Sequence, residues 1–230
     1  MLADIVPPQV AADEAFGDVL DAVLFPEEEA VVARAVDKRR REFTTARVCA
    51  RAGLARLGVP AAPILPGPRG APQWPPGIVG SMTHCAGYRA SAVARAEDMI
   101  TIGLDAEPDD RLPDRVLDAV ATADEQESLE ALTSATAGPS WDRLLFSAKE
   151  SVYKAWFPLT GRWLGFKEAA VTISPSAGTF HARLLVEGPV LAGRRLTGFT
   201  GRWLARDGLI LTAIAVPCCS RPGRRNGAPA

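Results

Sequence analysis

Three carboxylates occupy two short segments of the chain, and their spacing predicts that they meet at one point. Asp105 and Glu107 are separated by one residue at the end of an apolar run, so an extended backbone directs both side chains to the same face. Glu150 lies farther along, in a segment with helical periodicity. Three converging carboxylates predict a site for a hard cation. Mg²⁺ is expected, with Mn²⁺ as the alternative, because Mg²⁺ binds a few carboxylates, keeps some waters and completes its octahedron with substrate phosphate.

Two lysines, Lys149 and Lys154, flank Glu150 and place positive charge beside this predicted site, which indicates an anionic, phosphorylated substrate. A simpler interpretation is a solvent-exposed i,i+4 pair between Glu150 and Lys154, worth about 0.3–0.5 kcal/mol. The apolar residues around them recur at helical spacing and predict one buried stripe. This stripe comprises Trp141, Leu144, Leu145, Ala148, Val152, Ala155 and Trp156. The opposite stripe is polar and comprises Ser147, Glu150, Ser151 and Lys154, so Glu150 is free to face a cleft.

These segments resemble the signature of the 4′-phosphopantetheinyl transferases, which reads Gly-(Ile/Val)-Asp-x-Glu followed by (Trp/Phe)-x-x-Lys-Glu-(Ala/Ser)-x-x-Lys. In this chain the two motifs read Gly103-Leu-Asp-Ala-Glu107 and Phe146-Ser-Ala-Lys-Glu-Ser-Val-Tyr-Lys154. A third block, Gly80-Ser-Met-Thr-His-Cys85, resembles the Gly-Ser-x-(Thr/Ser)-His element of the same family. All three stand in the family's order, and the chain is most similar to the two-domain, enterobactin-type actinobacterial branch.

The resemblance implies transfer of 4′-phosphopantetheine from coenzyme A, the co-substrate, to a serine of an apo acyl or peptidyl carrier protein. Adenosine 3′,5′-bisphosphate would leave, and Mg²⁺ would be held by Asp105, Glu107 and Glu150. Glu150, or a metal-bound water, would be the base, and Lys154 would contact the phosphates with support from Lys149. Two alternatives stay open at this stage. One is a Mg²⁺-dependent hydrolase of the coenzyme A pyrophosphate, and the other is a non-catalytic module that binds coenzyme A or a carrier protein.

The same resemblance assigns residues to the nucleotide end of coenzyme A. His84 would contact the 3′-phosphate, and Thr83 would bind phosphate oxygens, although a turn-forming role for Thr83 is equally simple. The family's adenine- and phosphate-binding arginines align with Arg39 and Arg47 in a helix rich in basic residues, of which Arg47 is the favoured candidate. Arg69 stands where the family has a lysine that reaches the nucleotide, and arginine keeps the charge with a different geometry.

An aromatic segment after the catalytic helix would line the tunnel for the pantetheine arm. By resemblance, Trp163 and Leu164 form its wall together with Phe146 and Tyr153. Ordinary packing between helix and sheet would explain the same residues.

The composition excludes several other classes of protein. With 230 residues and a net charge of −1, the chain lacks the basic excess of most nucleic-acid binders. Four cysteines, at positions 49, 85, 218 and 219, match neither a zinc spacing nor a disulfide framework. The first residues do not resemble a signal peptide, and the longest apolar run is too short to span a bilayer. We therefore expect a cytoplasmic protein that binds neither nucleic acid nor membrane. A monomer is expected because the second half of the chain would supply what a partner subunit would otherwise provide.

The order of predicted elements favours an α+β fold. Each half reads as a helix followed by antiparallel strands. The resemblance implies two similar α+β subdomains, each a helix packed on an antiparallel sheet, related by pseudo-two-fold symmetry with the active site in the cleft between them. They would span residues 1–104, at the nucleotide end, and 105–216, followed by a disordered tail at 217–230. Helices are predicted at 26–57, 113–132 and 139–157, the last ending before Pro158. Strands are predicted near 78–84, 88–95, 99–105, 169–174, 180–186, 197–205 and 208–216.

Overall fold

A computed structural model describes residues 1–113 and 115–218. Its helices are α1 (Pro26–Val32), α2 (Asp37–Arg56), α3 (Val116–Val120), α4 (Ala123–Ala135) and α5 (Trp141–Thr160). Its strands are β1 (Ala11–Phe16), β2 (Ile78–Cys85), β3 (Tyr88–Arg95), β4 (Met99–Pro108), β5 (Ala169–Ser174), β6 (Thr179–Leu184), β7 (Val190–Leu191), β8 (Arg194–Arg195), β9 (Gly198–Arg206) and β10 (Leu209–Pro217). Residue 217 thus ends the last strand, and most of the predicted tail, 219–230, lies outside the described residues.

The strands form antiparallel sheets, which confirms a mixed fold of helices and antiparallel sheets. Three strands pair in the order β1-β3-β2, and five pair in the order β4-β10-β9-β6-β5. The short strands β7 and β8 form a separate hairpin. In the described residues, no helix is long and apolar enough to cross a membrane.

The first predicted helix is two helices in the structure. Helix α1 stops at Val32, and α2 begins at Asp37 after an extended Val36. The prediction of one continuous helix was wrong because Asp37 supplies a second start signal, an acidic residue in the first turn of α2. Helix α2 then packs on the three-stranded sheet, where Ala50, Leu54 and neighbouring side chains are buried against Val93.

Helix α5 packs on the five-stranded sheet and carries the centre of the larger core. All seven residues of its predicted apolar stripe are buried, which confirms the periodicity. The helix does not end before Pro158 but continues to Thr160 and stops at Gly161, whose φ of 63° is left-handed. Pro158 removes only one hydrogen bond of the helix, so the helix continues past it. The left-handed Gly161 ends the helix, and its N–H donates to the Phe157 carbonyl at 2.8 Å.

Strand β4 joins the two halves of the molecule. It spans residue 104 and pairs with β10 along one edge. On its other edge the N–H groups of Leu104 and Ala106 donate to the hydroxyls of Ser81 and Thr83, at 3.0 and 3.1 Å. Side chains of β2 therefore satisfy backbone groups of β4 where the described residues show no strand-to-strand ladder.

Candidate active site

Helix α5 and strand β4 run antiparallel in a matched register. Two strand residues rise about 6.6 Å and four helix residues rise about 6.0 Å, so every second residue of β4 meets every fourth residue of α5. The structure gives this pairing as Thr101 with Ala155, Gly103 with Ser151, Asp105 with Ser147, and Glu107 with Arg143. The two backbones lie very close together at Gly103, where a Cβ would lie 2.0 Å from the Ser151 carbonyl oxygen.

The Asp105 carboxylate is buried and held from several directions. Its Oδ2 accepts a hydrogen bond from the Ser147 hydroxyl at 2.8 Å, and its Oδ1 lies 2.7 Å from the Lys154 ammonium. The Thr83 hydroxyl lies 3.4 Å from the same Oδ1. Thr212 of β10 is paired with Asp105 in the sheet. Its hydroxyl donates a hydrogen bond to the Ser147 carbonyl at 2.9 Å. Burial and these bonds fix the position of the carboxylate.

Glu107 follows on the same face of β4, as predicted from its spacing. One of its oxygens, Oε2, accepts a hydrogen bond from Nη1 of Arg143 at 3.0 Å. Burial raises the pKa of Glu107, and the negative charge of Asp105 raises it further, while Arg143 and Lys154 act in the opposite direction. Asp105 and Glu107 therefore lie close enough to repel each other.

Glu150 faces the cleft and makes no hydrogen bond or ion pair within the part of the chain that the structure describes. Burial raises the pKa of its carboxyl, and Asp105 raises it further, with Lys154 opposing. This half-buried carboxyl has a raised pKa, and neither of its oxygens accepts a hydrogen bond among the described residues. Such a group is suited to accept a proton from a bound hydroxyl.

The three carboxylates have the oxygen chemistry that Mg²⁺ requires. Asp105 and Glu107 share one face of β4, and Glu150 lies on α5, which packs against that face. Two of them are already paired, with Lys154 and Arg143. Across residues 1–113 and 115–218, no group of three or more His, Cys, Asp and Glu side chains is gathered closely enough to hold a metal ion. The carboxylate oxygens are therefore the ligand atoms that a hard cation prefers. With Asp105 and Glu107 held in ion pairs, the three carboxylates do not form a complete coordination shell.

A cavity of about 730 Å³ opens beside these groups, and both halves of the chain line it. Its walls include Arg69 and Ser81 from the first half and Glu150, Tyr153 and Lys154 from α5. A smaller cavity of about 170 Å³ lies on the other side of Glu150 and Tyr153 and is lined by Trp163 and Leu164.

Arg69 reaches across the cleft to the aromatic segment. Its guanidinium carbon lies 5.1 Å from the centroid of the Trp163 ring, a cation–π distance. Trp163 in turn lies 5.0 Å from the Tyr153 ring. Arg69 has a left-handed backbone with φ of 55°, which costs energy for a non-glycine residue. Leu164 is buried beside them. The structure thus brings Arg69, Trp163 and Leu164 to the two cavities.

His84 and Arg39 meet at the surface of the first half. Nη1 of Arg39 lies 2.7 Å from Nε2 of His84, and arginine can only donate, so Nε2 accepts and the ring proton sits on Nδ1. Nδ1 faces Glu42 at 3.6 Å. Burial is the main cause that lowers the pKa of His84, with Glu42 opposing it and Arg39 acting in the same direction as burial.

Arg47 does not reach this surface. Its side chain is buried, with Nε bonded to the Ile64 carbonyl at 3.0 Å and the guanidinium over the Phe43 ring. Buried Glu28 lies 3.7 Å from Nε. Burial lowers the pKa of Arg47 to about 10. The structure thus places Arg39 at the surface beside His84 and encloses Arg47, the candidate that the sequence favoured.

Lys149, which was predicted to support Lys154 at the phosphates, is enclosed by acceptors of the protein. Its ammonium is buried and donates to the Glu125 carboxylate at 2.8 Å and to three carbonyl oxygens, those of Val120, Phe166 and Ala169. Four acceptors leave no N–H for a substrate. Lys149 instead connects α3, α4 and α5 with the segment that leads into β5.

Thr83, which was predicted to bind phosphate oxygens, lies between β2 and β4. Its hydroxyl contacts Asp105 and accepts a hydrogen bond from the Ala106 N–H.

Sequence reasoning missed Arg143 and Thr212. Arg143 was detectable, since residues 143, 147, 150 and 154 follow the i, i+4, i+7, i+11 spacing of one helix face. Ser147 and Ser151, which were expected on an open polar stripe, are fully buried against β4. Thr212 lies in a buried apolar strand, where the sequence shows no sign of its partner.

Comparison with known proteins assigns the family. A model of the 4′-phosphopantetheinyl transferase N-terminal domain matches residues 27–94, and a model of the 4′-phosphopantetheinyl transferase superfamily matches residues 101–197. The chain is 58% identical to 4′-phosphopantetheinyl transferase Svp of Streptomyces mobaraensis over 219 residues, which cover 94% of this chain and 89% of that protein. It is 46% identical to 4′-phosphopantetheinyl transferase PptT of Mycobacterium tuberculosis over 224 residues, 94% of this chain and 98% of that one. Enterobactin synthase component D of Salmonella typhimurium is 31% identical over 77% of this chain and 72% of its own. This chain therefore belongs to the 4′-phosphopantetheinyl transferase superfamily.

Proposed function

We propose that the cleft beside α5 transfers 4′-phosphopantetheine from coenzyme A to a serine of an apo acyl or peptidyl carrier protein, with Glu150 as the base. The observation that supports this role is the half-buried Glu150 carboxyl, which has a raised pKa and no partner among the described residues. The serine oxygen forms a bond to the β-phosphorus of coenzyme A, and the serine proton passes to Glu150. The bond from that phosphorus to the bridging oxygen breaks, and adenosine 3′,5′-bisphosphate leaves.

Lys154 contributes positive charge to the same step. It lies beside Asp105 at the wall of the larger cavity, where an ammonium is able to donate to a phosphate oxygen as negative charge moves to the leaving group. Because α5 holds both Lys154 and Glu150 one helical turn apart, the base and the phosphate contact keep a constant separation.

Asp105, Glu107 and Glu150 are the residues that would hold Mg²⁺, or Mn²⁺ in its place. When bound there, the ion supplies neutralisation of the pyrophosphate charge. The chain's own contribution is the placement of the three carboxylates. Asp105 and Glu107 share one face of β4, and Glu150 is presented from α5. Oε1 of Glu107 accepts no hydrogen bond among the described residues.

The nucleotide end is proposed to lie at Arg39 and His84, whose side chains meet at the surface. Arg69 is proposed to contact the nucleotide from the larger cavity. The pantetheine arm is proposed to follow Tyr153 toward Trp163 and Leu164 in the smaller cavity. These assignments rest on the cavity linings and on the cation–π contact between Arg69 and Trp163.

We further propose a monomer whose two halves, 1–104 and 105–216, are related by a pseudo-two-fold axis. Support comes from their similar architecture, since α2 packs on one antiparallel sheet and α5 packs on the other. A cytoplasmic location, with no nucleic-acid or membrane partner, completes the proposal.

The test is intact-protein mass spectrometry of apo acyl and peptidyl carrier proteins incubated with the enzyme, coenzyme A and Mg²⁺. The expected result is a gain of one phosphopantetheine unit with wild type, and little gain with Glu150→Gln or without a divalent cation. Gln keeps the size of the side chain and removes the base. Free phosphopantetheine without a mass gain on any carrier would instead indicate hydrolysis. Transfer by Glu150→Gln at the wild-type rate would exclude Glu150 as the base.

A further inference from the structure

We propose that Arg143 is a positioning residue for Glu107, and this proposal rests on the cation site proposed above. Arg143 holds one carboxylate oxygen, Oε2, and leaves the other, Oε1, for a divalent cation. The guanidinium does this as a rigid fork, because it is fixed by two further hydrogen bonds that do not involve any carboxylate.

The three bonds use three different nitrogens. Nη1 donates to Oε2 of Glu107 at 3.0 Å, Nε donates to the Asp110 carbonyl at 2.9 Å, and Nη2 donates to the Arg111 carbonyl at 2.9 Å. The planar guanidinium holds its donors in fixed directions, whereas a lysine ammonium is a point charge on a flexible stem. The two carbonyls therefore orient the fork, and the fork orients Glu107.

The loop that supplies these carbonyls is itself tied to the start of α5. The Leu112 N–H donates to Oδ2 of Asp142 at 3.1 Å, and the Ser140 N–H donates to Oδ1 of Asp109 at 2.7 Å. Arg143 lies directly after Asp142 in the first turns of the helix. The loop, the helix start and Glu107 consequently form one connected unit.

Burial distinguishes this pair from an ordinary surface ion pair. The side chains of Arg143 and Glu107 are 16% and 20% exposed, and the matched register places Arg143 opposite Glu107 one helical turn from Ser147, which holds Asp105. One face of α5 therefore presents Glu150 and positions both of the other carboxylates.

Two roles for Arg143 predict opposite changes in cation affinity. If Arg143 were only a competing counter-ion, its removal would leave the site more negative and strengthen the binding of a divalent cation. If it positions Glu107, its removal frees the carboxylate to move and weakens binding. Loss of a group that orients a metal ligand typically costs about 10–100-fold in metal affinity or activity.

The experiment measures Mn²⁺ affinity by electron paramagnetic resonance, with saturating coenzyme A and a protein-free blank. The variants are Arg143→Met, Arg143→Lys and a control, Arg34→Met, whose arginine is exposed and has no ion pair or hydrogen bond in the described chain. We expect Arg143→Met to bind Mn²⁺ about 10-fold more weakly or worse. Arg143→Lys, which keeps the charge but not the fork, should recover less than half of that loss on a logarithmic scale, and Arg34→Met should match wild type.

Melting temperatures of all variants identify any that fail to fold. If Arg143→Met does not fold, Mn²⁺ affinity is compared between Arg143→Lys and wild type. Unchanged or tighter Mn²⁺ binding by Arg143→Met, or full recovery by Arg143→Lys, would overturn the positioning role. Wild-type enzyme that binds no Mn²⁺ at all would overturn the proposed cation site instead, and the Arg143 role with it.

Discussion

The ammonium of Lys154 lies 2.7 Å from Oδ1 of Asp105, so that a basic residue of α5 is paired with an acidic residue of β4 before any substrate is bound. The Asp105 side chain is 6% exposed and that of Lys154 is 27% exposed. The buried member is thus fixed while the lysine retains access to the cavity. An ammonium already held at the site needs little reorganisation when a phosphate arrives.

Replacing Lys154 with methionine should lower turnover strongly while affecting the KM for coenzyme A less. The methionine keeps a chain of similar length but removes the charge that stabilises the transition state, a change that typically costs about 100-fold or more. Steady-state transfer to a carrier protein measures both constants. Lys167→Met is the matched control, because Lys167 is exposed and makes no ion pair in the described residues. A Lys154→Met enzyme with more than half of wild-type turnover would exclude the proposed role.

Replacing Lys149 with methionine should destabilise the fold. The substitution leaves the Glu125 carboxylate buried without its cation, and breaking a buried pair typically costs about 3–5 kcal/mol of unfolding free energy. Urea unfolding followed by circular dichroism measures the loss. The double variant Lys149→Met/Glu125→Gln removes the unpaired charge and should lose less than the single variant. Equal losses in the two proteins would contradict the buried ion pair.

Replacing Gly103 with alanine should separate α5 from β4. The new Cβ would lie 2.0 Å from the Ser151 carbonyl oxygen and 2.8 Å from the Ala155 nitrogen, and both are backbone atoms that cannot rotate away. We expect a loss of at least about 1–3 kcal/mol, as for other overpacked sites, and reduced transfer activity. Gly165→Ala is the control, because the nearest atom to its Cβ is 3.5 Å away. Calorimetric melting that shows equal effects at both positions would count against the close approach.

His84 should make stability depend on pH in the weakly acidic range. Burial lowers its pKa below the ordinary value of 6.5, so the unfolded chain binds a proton more readily than the folded one. The contribution of His84 to stability is therefore present above pH 6.5 and is lost as pH falls through 6.5 toward the lower folded pKa. Urea unfolding is measured from about pH 7.5 to about pH 5.5, roughly one unit on either side of the ordinary histidine pKa of 6.5. Over this range the unfolding free energy of His84→Asn should decline less than that of wild type.

The comparison for that experiment is His181→Asn, which alters the exposed histidine of β6. A decline for His181→Asn as shallow as that for His84→Asn would show that the effect is not specific to His84. Identical slopes for wild type and His84→Asn would show that the imidazole is not held in its neutral form.

Local patterns were sufficient to predict most of the helices and strands and the shared strand face of Asp105 and Glu107. The apolar stripe of α5 has strong helical periodicity, and the alternation around Asp105 and Glu107 places both on one face of a strand. These features depend on residues close together in the chain. The break at Val36 was missed although Asp37 supplies a local start signal for α2. The continuation through Pro158 was missed because a proline within a helical pattern ordinarily marks the end of the helix.

Two charged residues of the predicted site, Lys149 and Arg47, are enclosed for a common physical reason. Lys149 and Arg47 are charged residues in helices, which ordinarily indicates exposure. Each is buried because acceptors distant in sequence surround it, Glu125 and three carbonyls for Lys149, and Glu28 and the Ile64 carbonyl for Arg47. No periodicity within one helix reveals such partners.

The seam between β2 and β4 bears on whether either half could exist alone. Each of these strands ends a sheet on the side that faces the other, and Ser81 and Thr83 take up the N–H groups of Leu104 and Ala106. A strand edge with unpaired N–H groups is a template for association with other chains. Either half expressed by itself would expose such an edge and would tend to aggregate, so the hydroxyls of two small side chains protect the whole chain against self-association.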